Sequence, residues 1–100
     1  MYITKDNINK FIIGGTTMDC YNENITYIEF IPEGITTLYC FDNKLTELPK
    51  LPKSLVNLQC YNNKLTSLPK LPESLINLDC SFNNLPYEVT LKNLKEHNKL

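Results

Sequence analysis

Four cysteines, Cys20, Cys40, Cys60 and Cys80, recur at intervals of twenty residues. Four thiols could complete a zinc site or close two disulfides. Little else in the chain has catalytic chemistry. His97 is the only histidine, and no Ser/His/Asp, Cys/His or paired-carboxylate arrangement accompanies it, so it reads as a solvated residue and the chain as a non-enzyme. Gly14-Gly15 reads as a turn rather than a phosphate loop. The question is whether the four sulfurs can meet, which depends on the elements that carry them.

The residues around the cysteines share their period. Ile35-Thr-Thr-Leu-Tyr-Cys-Phe-Asp-Asn-Lys-Leu45 returns as Leu55-Val-Asn-Leu-Gln-Cys-Tyr-Asn-Asn-Lys-Leu65, and again as Leu75-Ile-Asn-Leu-Asp-Cys-Ser-Phe-Asn-Asn-Leu85. Met18, Cys20 and Ile25 keep the phase in a fainter first copy. Self-similarity at such a period marks a solenoid built from stacked units. The units are 15–34, 35–54, 55–74 and 75–94, preceded by an N-terminal cap, 1–14, within one domain. Apolar residues at unit positions 4 and 6 alternate with variable ones, as in a half-buried strand. Asn43, Asn63 and Asn83 stand at position 9, where the chain turns. An inward asparagine there would bond backbone groups of its own and the adjoining unit. Glu23 interrupts this ladder in the first unit, where Asn22 or Asn24 is the substitute.

The back of each unit reads Leu48-Pro-Lys-Leu-Pro-Lys-Ser or Leu68-Pro-Lys-Leu-Pro-Glu-Ser. Prolines three apart exclude a regular helix and favour extended, polyproline-like chain. Ile8 and Phe11 are in phase with Ile28/Ile31, Leu48/Leu51 and Leu68/Leu71, so the N-terminal cap resembles the back half of a unit. After Leu85 the pattern becomes helical. Tyr87, Leu91 and Leu94 share one face, Glu88 precedes Lys92 by four, and Pro86 suits a first turn. A helical cap over 86–100 is expected to cover Leu78 and Cys80.

Composition narrows the function. Ten lysines against eleven carboxylates give a net charge of −1, without the basic footprint that nucleic-acid binding requires. No apolar run approaches the ~20 residues of a membrane helix, so no membrane association is expected. The N-terminal residues lack the features of a signal peptide, and an intracellular protein is expected. Ala, Arg and Trp are absent, a bias that AT-rich coding produces.

These units resemble the leucine-rich repeat LxxLxLxxNxL, with cysteine at the third apolar position. The twenty-residue length and the Leu-Pro-x-Leu-Pro linker are similar to the short repeats of bacterial secreted effectors, the Yersinia outer protein M and invasion-plasmid-antigen H families. The Asn/Ile/Lys bias also resembles leucine-rich-repeat proteins of giant viruses. The resemblance implies a right-handed horseshoe-class solenoid with a parallel β-sheet on its concave face, used to bind protein or peptide partners. The catalytic domain of the ligase family has no counterpart in these residues, so no enzymatic activity carries over.

On such a sheet the cysteines cannot converge. Adjacent parallel strands lie about 4.8 Å apart, which puts the first and last cysteine roughly 14 Å from each other. Zinc needs every sulfur within ~2.3 Å, and a disulfide needs Cβ atoms ~3.5–4.5 Å apart. The cysteines therefore read as small core residues, with no metal and no cofactor. The candidate site is instead the concave face. Tyr21, Phe41 and Tyr61 occupy position 7, with Tyr39 and Phe82 beside them and Asp19, Asp42, Asn57, Gln59, Asn62, Asn77 and Asp79 around them. Aromatics in a polar surround favour protein binding. Such rings also stack along a sheet for packing alone. The face measures roughly 440 Å² from strand spacing, against ~800 Å² per partner in a standard interface. A peptide or a weak homo-oligomer fits that area. The alternatives are a structural, self-associating repeat unit or a substrate-recognition fragment.

Overall fold

The computed structural model describes all 100 residues. The core of the fold is a five-stranded sheet, four of whose strands repeat one another. Strands β3 (Thr17–Asp19), β5 (Thr37–Tyr39), β6 (Asn57–Gln59) and β7 (Asn77–Asp79) lie side by side and parallel. Their register follows the sequence period: Thr17 faces Thr37, Thr37 faces Asn57, and Asn57 faces Asn77. Each strand is three residues long because the turn asparagine soon draws the chain inward.

The middle residue of each strand and the cysteine after it point into the core. Met18, Leu38, Leu58 and three of the cysteines are fully buried, as are Leu45, Leu55 and Leu65 from the coil walls. On the back, Ile28, Ile31, Leu48, Leu51 and Leu71 close the core. No regular helix forms there. A turn closes each unit instead, with Ile35, Leu55 and Leu75 donating their N–H groups to the carbonyls of Pro32, Pro52 and Pro72. The proline-rich backs thus remain extended, satisfying their polar groups in turns rather than in a helix.

The first coil is closed by chain from the N-terminus. Strand β1 (Tyr2–Ile3) pairs in parallel with β4 (Tyr27–Ile28). A 3-10 turn over Ile8–Phe11 then buries Ile8 and Phe11. They stack below Ile28 and Ile31 in the phase set by the sequence. Strand β2 (Ile12–Ile13) runs antiparallel to β3 through the Gly14-Gly15 turn. Both glycines have positive φ, 62° and 76°, a conformation in which a side chain would be strained.

The C-terminal cap differs from the expected helix. Helix α1 spans only Leu94–Asn98. Val89 and Thr90 are β-branched, and Asn93 folds its amide back onto this stretch, accepting from the Thr90 N–H at 2.8 Å and donating to the Glu88 carbonyl at 2.6 Å. These side-chain bonds hold a turn where helix was expected. Tyr87 and Leu91 consequently remain exposed, while Val89, Leu94 and His97 cover the last coil. The expected Glu88–Lys92 pair does not form, and the ion pair that does joins exposed Lys99 and Glu96.

His97 also departs from its expected solvation, being only 7% exposed. Its Nε2 lies 2.9 Å from the Pro69 carbonyl oxygen and its Nδ1 2.6 Å from the Tyr87 hydroxyl. A carbonyl only accepts, so Nε2 carries a proton, and in the neutral ring Nδ1 accepts from the tyrosine. Asn98 adds a two-way tie to the backbone of Leu71 at 2.8 Å each way. The cap is therefore attached to the back of the third coil.

Candidate functional site

The solvent face of the sheet is assembled from alternate residues of the short strands and of the turns that follow them. At unit position 7 the rings of Tyr21, Phe41 and Tyr61 form a continuous stack. Centroids are 4.8 Å apart with an 11° tilt for the first pair, and 4.6 Å with 9° for the second. Parallel strands in register impose this spacing. Tyr39 meets Phe41 edge-on at 6.3 Å. Tyr21 is 47% exposed, and Phe41, Tyr61 and Tyr39 are half-buried. The rings thus pack on one another and still present area to solvent.

The polar residues of this face are bound mainly to one another. Asn62 Nδ2 donates to Asp42 Oδ1 at 2.7 Å, and Gln59 Nε2 donates to Asn57 Oδ1 at 2.9 Å. Asp79 Oδ1 accepts from the Ser81 hydroxyl and N–H at 2.6 and 3.0 Å. Asp19 Oδ1 is shielded from water without a hydrogen-bond partner. Asn77 is exposed at the end of the row. Asp19, Asp42 and Asp79 make the face acidic, since no lysine is among these residues.

Phe82 does not join the stack. Ser81 takes the ring position in the last coil, and Phe82, one residue later, is 80% exposed. Its backbone has a φ of 54°, as do Asn22, Asp42 and Asn62 at the same unit position, with φ between 53° and 57°. Asparagine and aspartate tolerate this left-handed conformation, whereas a bulky side chain is strained in it. The sequence alone places Asp42 and Asn62 on the polar surface and offers Asn22 to the ladder. The Asn/Asp recurrence at position 8 was the signal that could have exposed the backbone requirement. Neither Asn22 nor Asn24 enters the ladder in place of Glu23.

Behind the face, the turn asparagines bridge coils. Asn43 Nδ2 donates to the carbonyls of Cys20 and Cys40 at 2.9 and 3.1 Å, while its Oδ1 accepts from Glu23 and Ile25 N–H. Asn63 repeats the pattern with Cys40, Cys60 and Leu45, and Asn83 with Cys60, Cys80 and Leu65. Each asparagine serves the coil before it, so the first coil needs none. A second set of ties escaped the sequence reading: Ser54 Oγ donates to the Ile35 carbonyl and Ser74 Oγ to that of Leu55, at 2.8 and 2.6 Å.

The thiols are inert by environment. All four cysteines are buried. Burial, reinforced by Asp19 and Glu23, pushes the Cys20 thiol up to about 12. Burial likewise drives Cys40, Cys60 and Cys80 above the usual thiol range. A thiolate is the reactive and metal-binding form, and no group of three or more His, Cys, Asp or Glu side chains converges to hold a metal. No helix is long and apolar enough to cross a membrane.

Short parallel strands in twenty-residue register, an inward asparagine ladder and an extended back define a leucine-rich-repeat solenoid. Among solved structures, YopM from Yersinia enterocolitica WA-314 is similar, with 29% sequence identity and a TM-score of 0.63 over 70% of this chain. The chain is a leucine-rich-repeat protein of the YopM type. The match spans 16% of the length of that YopM chain. No protein-family model and no curated protein matches the chain.

Proposed function

We propose that the chain is a non-enzymatic protein-interaction module whose concave face receives a protein or peptide segment. The observation that carries this reading is the stack of Tyr21, Phe41 and Tyr61, with Tyr39 against it, left partly open to solvent in an acidic surround. Apolar area in a row gains by leaving water. Rings contribute disproportionately to binding because they combine large area with few rotatable bonds. Asp19, Asp42 and Asp79 favour a partner carrying lysine or arginine, and Asn57, Gln59, Asn62 and Asn77 offer amides for its backbone.

The test compares two variants of the full chain in capture from lysate, with circular dichroism confirming that both fold. One replaces Tyr21, Phe41 and Tyr61 with alanine; the other reverses the charge of Lys50, Lys53 and Lys70 on the back. The ring variant is expected to lose the partner, at about 2 kcal/mol or more for each ring that the partner fully desolvates. Loss in the lysine variant with retention in the ring variant would place the partner on the back and leave the stack as packing. The small area of the face favours self-association as a second reading, which sedimentation across a concentration series decides.

A further inference from the structure

The last coil departs from the preceding ones where the sheet ends. In the sheet order, β7 is paired only with β6, so its outer edge has no strand beside it. In preceding coils that edge is filled. Cys20, Cys40 and Cys60 donate N–H to the carbonyls of Tyr39, Gln59 and Asp79, and Asn22, Asp42 and Asn62 donate to those of Phe41, Tyr61 and Ser81. The carbonyls of Thr36 and Val56 each accept from the next coil. Cys80 N–H, Phe82 N–H and the Ile76 carbonyl are the corresponding groups of the last coil, and none has a backbone partner.

The side chains flanking these groups change character as well. Unit position 2 reads Thr16, Thr36, Val56 and then Ile76; position 8 reads Asn22, Asp42, Asn62 and then Phe82. Ile76 is 73% exposed, and Phe82 holds its ring in solvent despite a left-handed backbone. Repeat proteins ordinarily give terminal units a polar outer face, and exposed edges are usually blunted with charge or proline. Here both positions beside the edge turn apolar. The cap does not fill the space. A cleft of about 370 Å³ remains between β7 and the cap segment, lined by Leu78, Leu85 and Val89 together with Asp79, Phe82 and Glu88. Its two charged residues are carboxylates, and none of its lining residues is basic.

We propose that the outer edge of β7 is a docking edge for an extended peptide segment whose apolar side chains are flanked by lysine or arginine. The segment extends the sheet by one strand, taking the Cys80 and Phe82 N–H groups on its carbonyls and giving an N–H to the Ile76 carbonyl. One apolar side chain enters the cleft over Leu78 and Val89, and the flanking cations face Asp79 and Glu88. Ladder bonds supply affinity in this mode, while pockets and charge supply selectivity. This surface shares Asp79 with the concave face but none of the stacked rings, and the proposal does not require the concave reading.

The test uses the 15N-labelled full chain and a blocked peptide of alternating lysine and valine. Two control peptides accompany it, one with every backbone nitrogen methylated and one with glutamate for lysine. The expected result is that the Cys80 and Phe82 amides shift and become protected from exchange. Methylation should weaken binding about tenfold or more, because it removes the N–H given to the Ile76 carbonyl and its methyl groups hold the peptide away from the Cys80 and Phe82 N–H groups. The glutamate peptide should bind more weakly than the lysine peptide. Phe82→Asn, which restores the residue type of the other coils and so preserves the fold, should also weaken binding. Equal binding by the methylated peptide overturns the proposal, as does no perturbation of the edge amides. Shifts centred on Tyr21, Phe41 and Tyr61 overturn it too, while supporting the concave reading. Edge protection that grows with protein concentration alone, with a doubled sedimenting mass, assigns the edge to a second copy and overturns the peptide.

Discussion

Replacing Asn63 with alanine removes a side chain that holds two coils together. Its amide donates to the carbonyls of Cys40 at 3.0 Å and Cys60 at 3.1 Å, and its oxygen accepts from Leu45 N–H at 3.0 Å. The consequences differ among these groups. The Cys40 carbonyl keeps its bond from Asn43, and the Cys60 carbonyl keeps that from Asn83. Leu45 N–H keeps nothing, and Leu45 is fully buried. A stranded buried donor costs about 1–3 kcal/mol, and each lost bond to an otherwise satisfied carbonyl about 0.5–1.5 kcal/mol. The expected loss is therefore about 2–6 kcal/mol. For a domain of this size that lowers Tm by roughly 10–30 °C.

Urea unfolding provides the assay, read as a fall in midpoint at constant slope. The control is at the neighbouring residue. Asn62→Ala is not neutral, because Asn62 sits at a φ of 57° and alanine there costs about 1–2 kcal/mol. Asn62→Gly accommodates that backbone and removes only the exposed bond to Asp42, so it should shift stability by about 0.5 kcal/mol or less. Asn83→Ala should fall between the two, since its bonds are only partly buried. An Asn63→Ala midpoint equal to that of Asn62→Gly would refute the view that the ladder carries buried backbone groups.

Three further outcomes are expected. Stability should decline on the alkaline side: the folded thiols are raised, that of Cys20 to about 12, while unfolded thiols ionise near about 8.5. Their stabilising contribution is complete below that value and is lost as pH rises from there towards 12, so Cys40→Ala should unfold with a shallower pH dependence between pH 8 and 11 than the parent chain. Phe82→Asn should raise stability by about 1 kcal/mol by removing left-handed strain, measured by the same urea melts; a loss would show that the exposed ring packs in the free protein. His97→Ala should cost about 1–3 kcal/mol, because the Pro69 carbonyl and the Tyr87 hydroxyl lose their shared partner, and thermal unfolding followed by circular dichroism checks it.

The sheet was legible because a strict period constrains every coil at once. Leu38, Leu58 and their neighbours stand in the register that the spacing implies. The ends lacked that redundancy. The spacing of Tyr87, Leu91 and Leu94 matches a helix, but the period carries no information about Asn93 folding its amide onto Glu88 and Thr90. His97 likewise offered no local sign of burial, since both its partners come from elsewhere in the chain. For the candidate site, alternation identified which rings leave the core. It did not reveal that position 8 needs a left-handed backbone, or that Phe82 at this position stands apart from the stack.

The asparagine ladder has a consequence for how such an array can change its length. Each turn asparagine bonds the coil that precedes it, as Asn63 does with Leu45 and Cys40. A duplicated segment such as 55–74 therefore arrives with the side chain that completes its predecessor and the carbonyls that its successor requires. Tandem duplication in frame leaves no backbone group of the ladder orphaned at either junction. Slippage of the gene by one such unit would yield a longer chain that needs no compensating substitution along this seam, whereas gain of nineteen or twenty-one codons would misalign every asparagine beyond the junction.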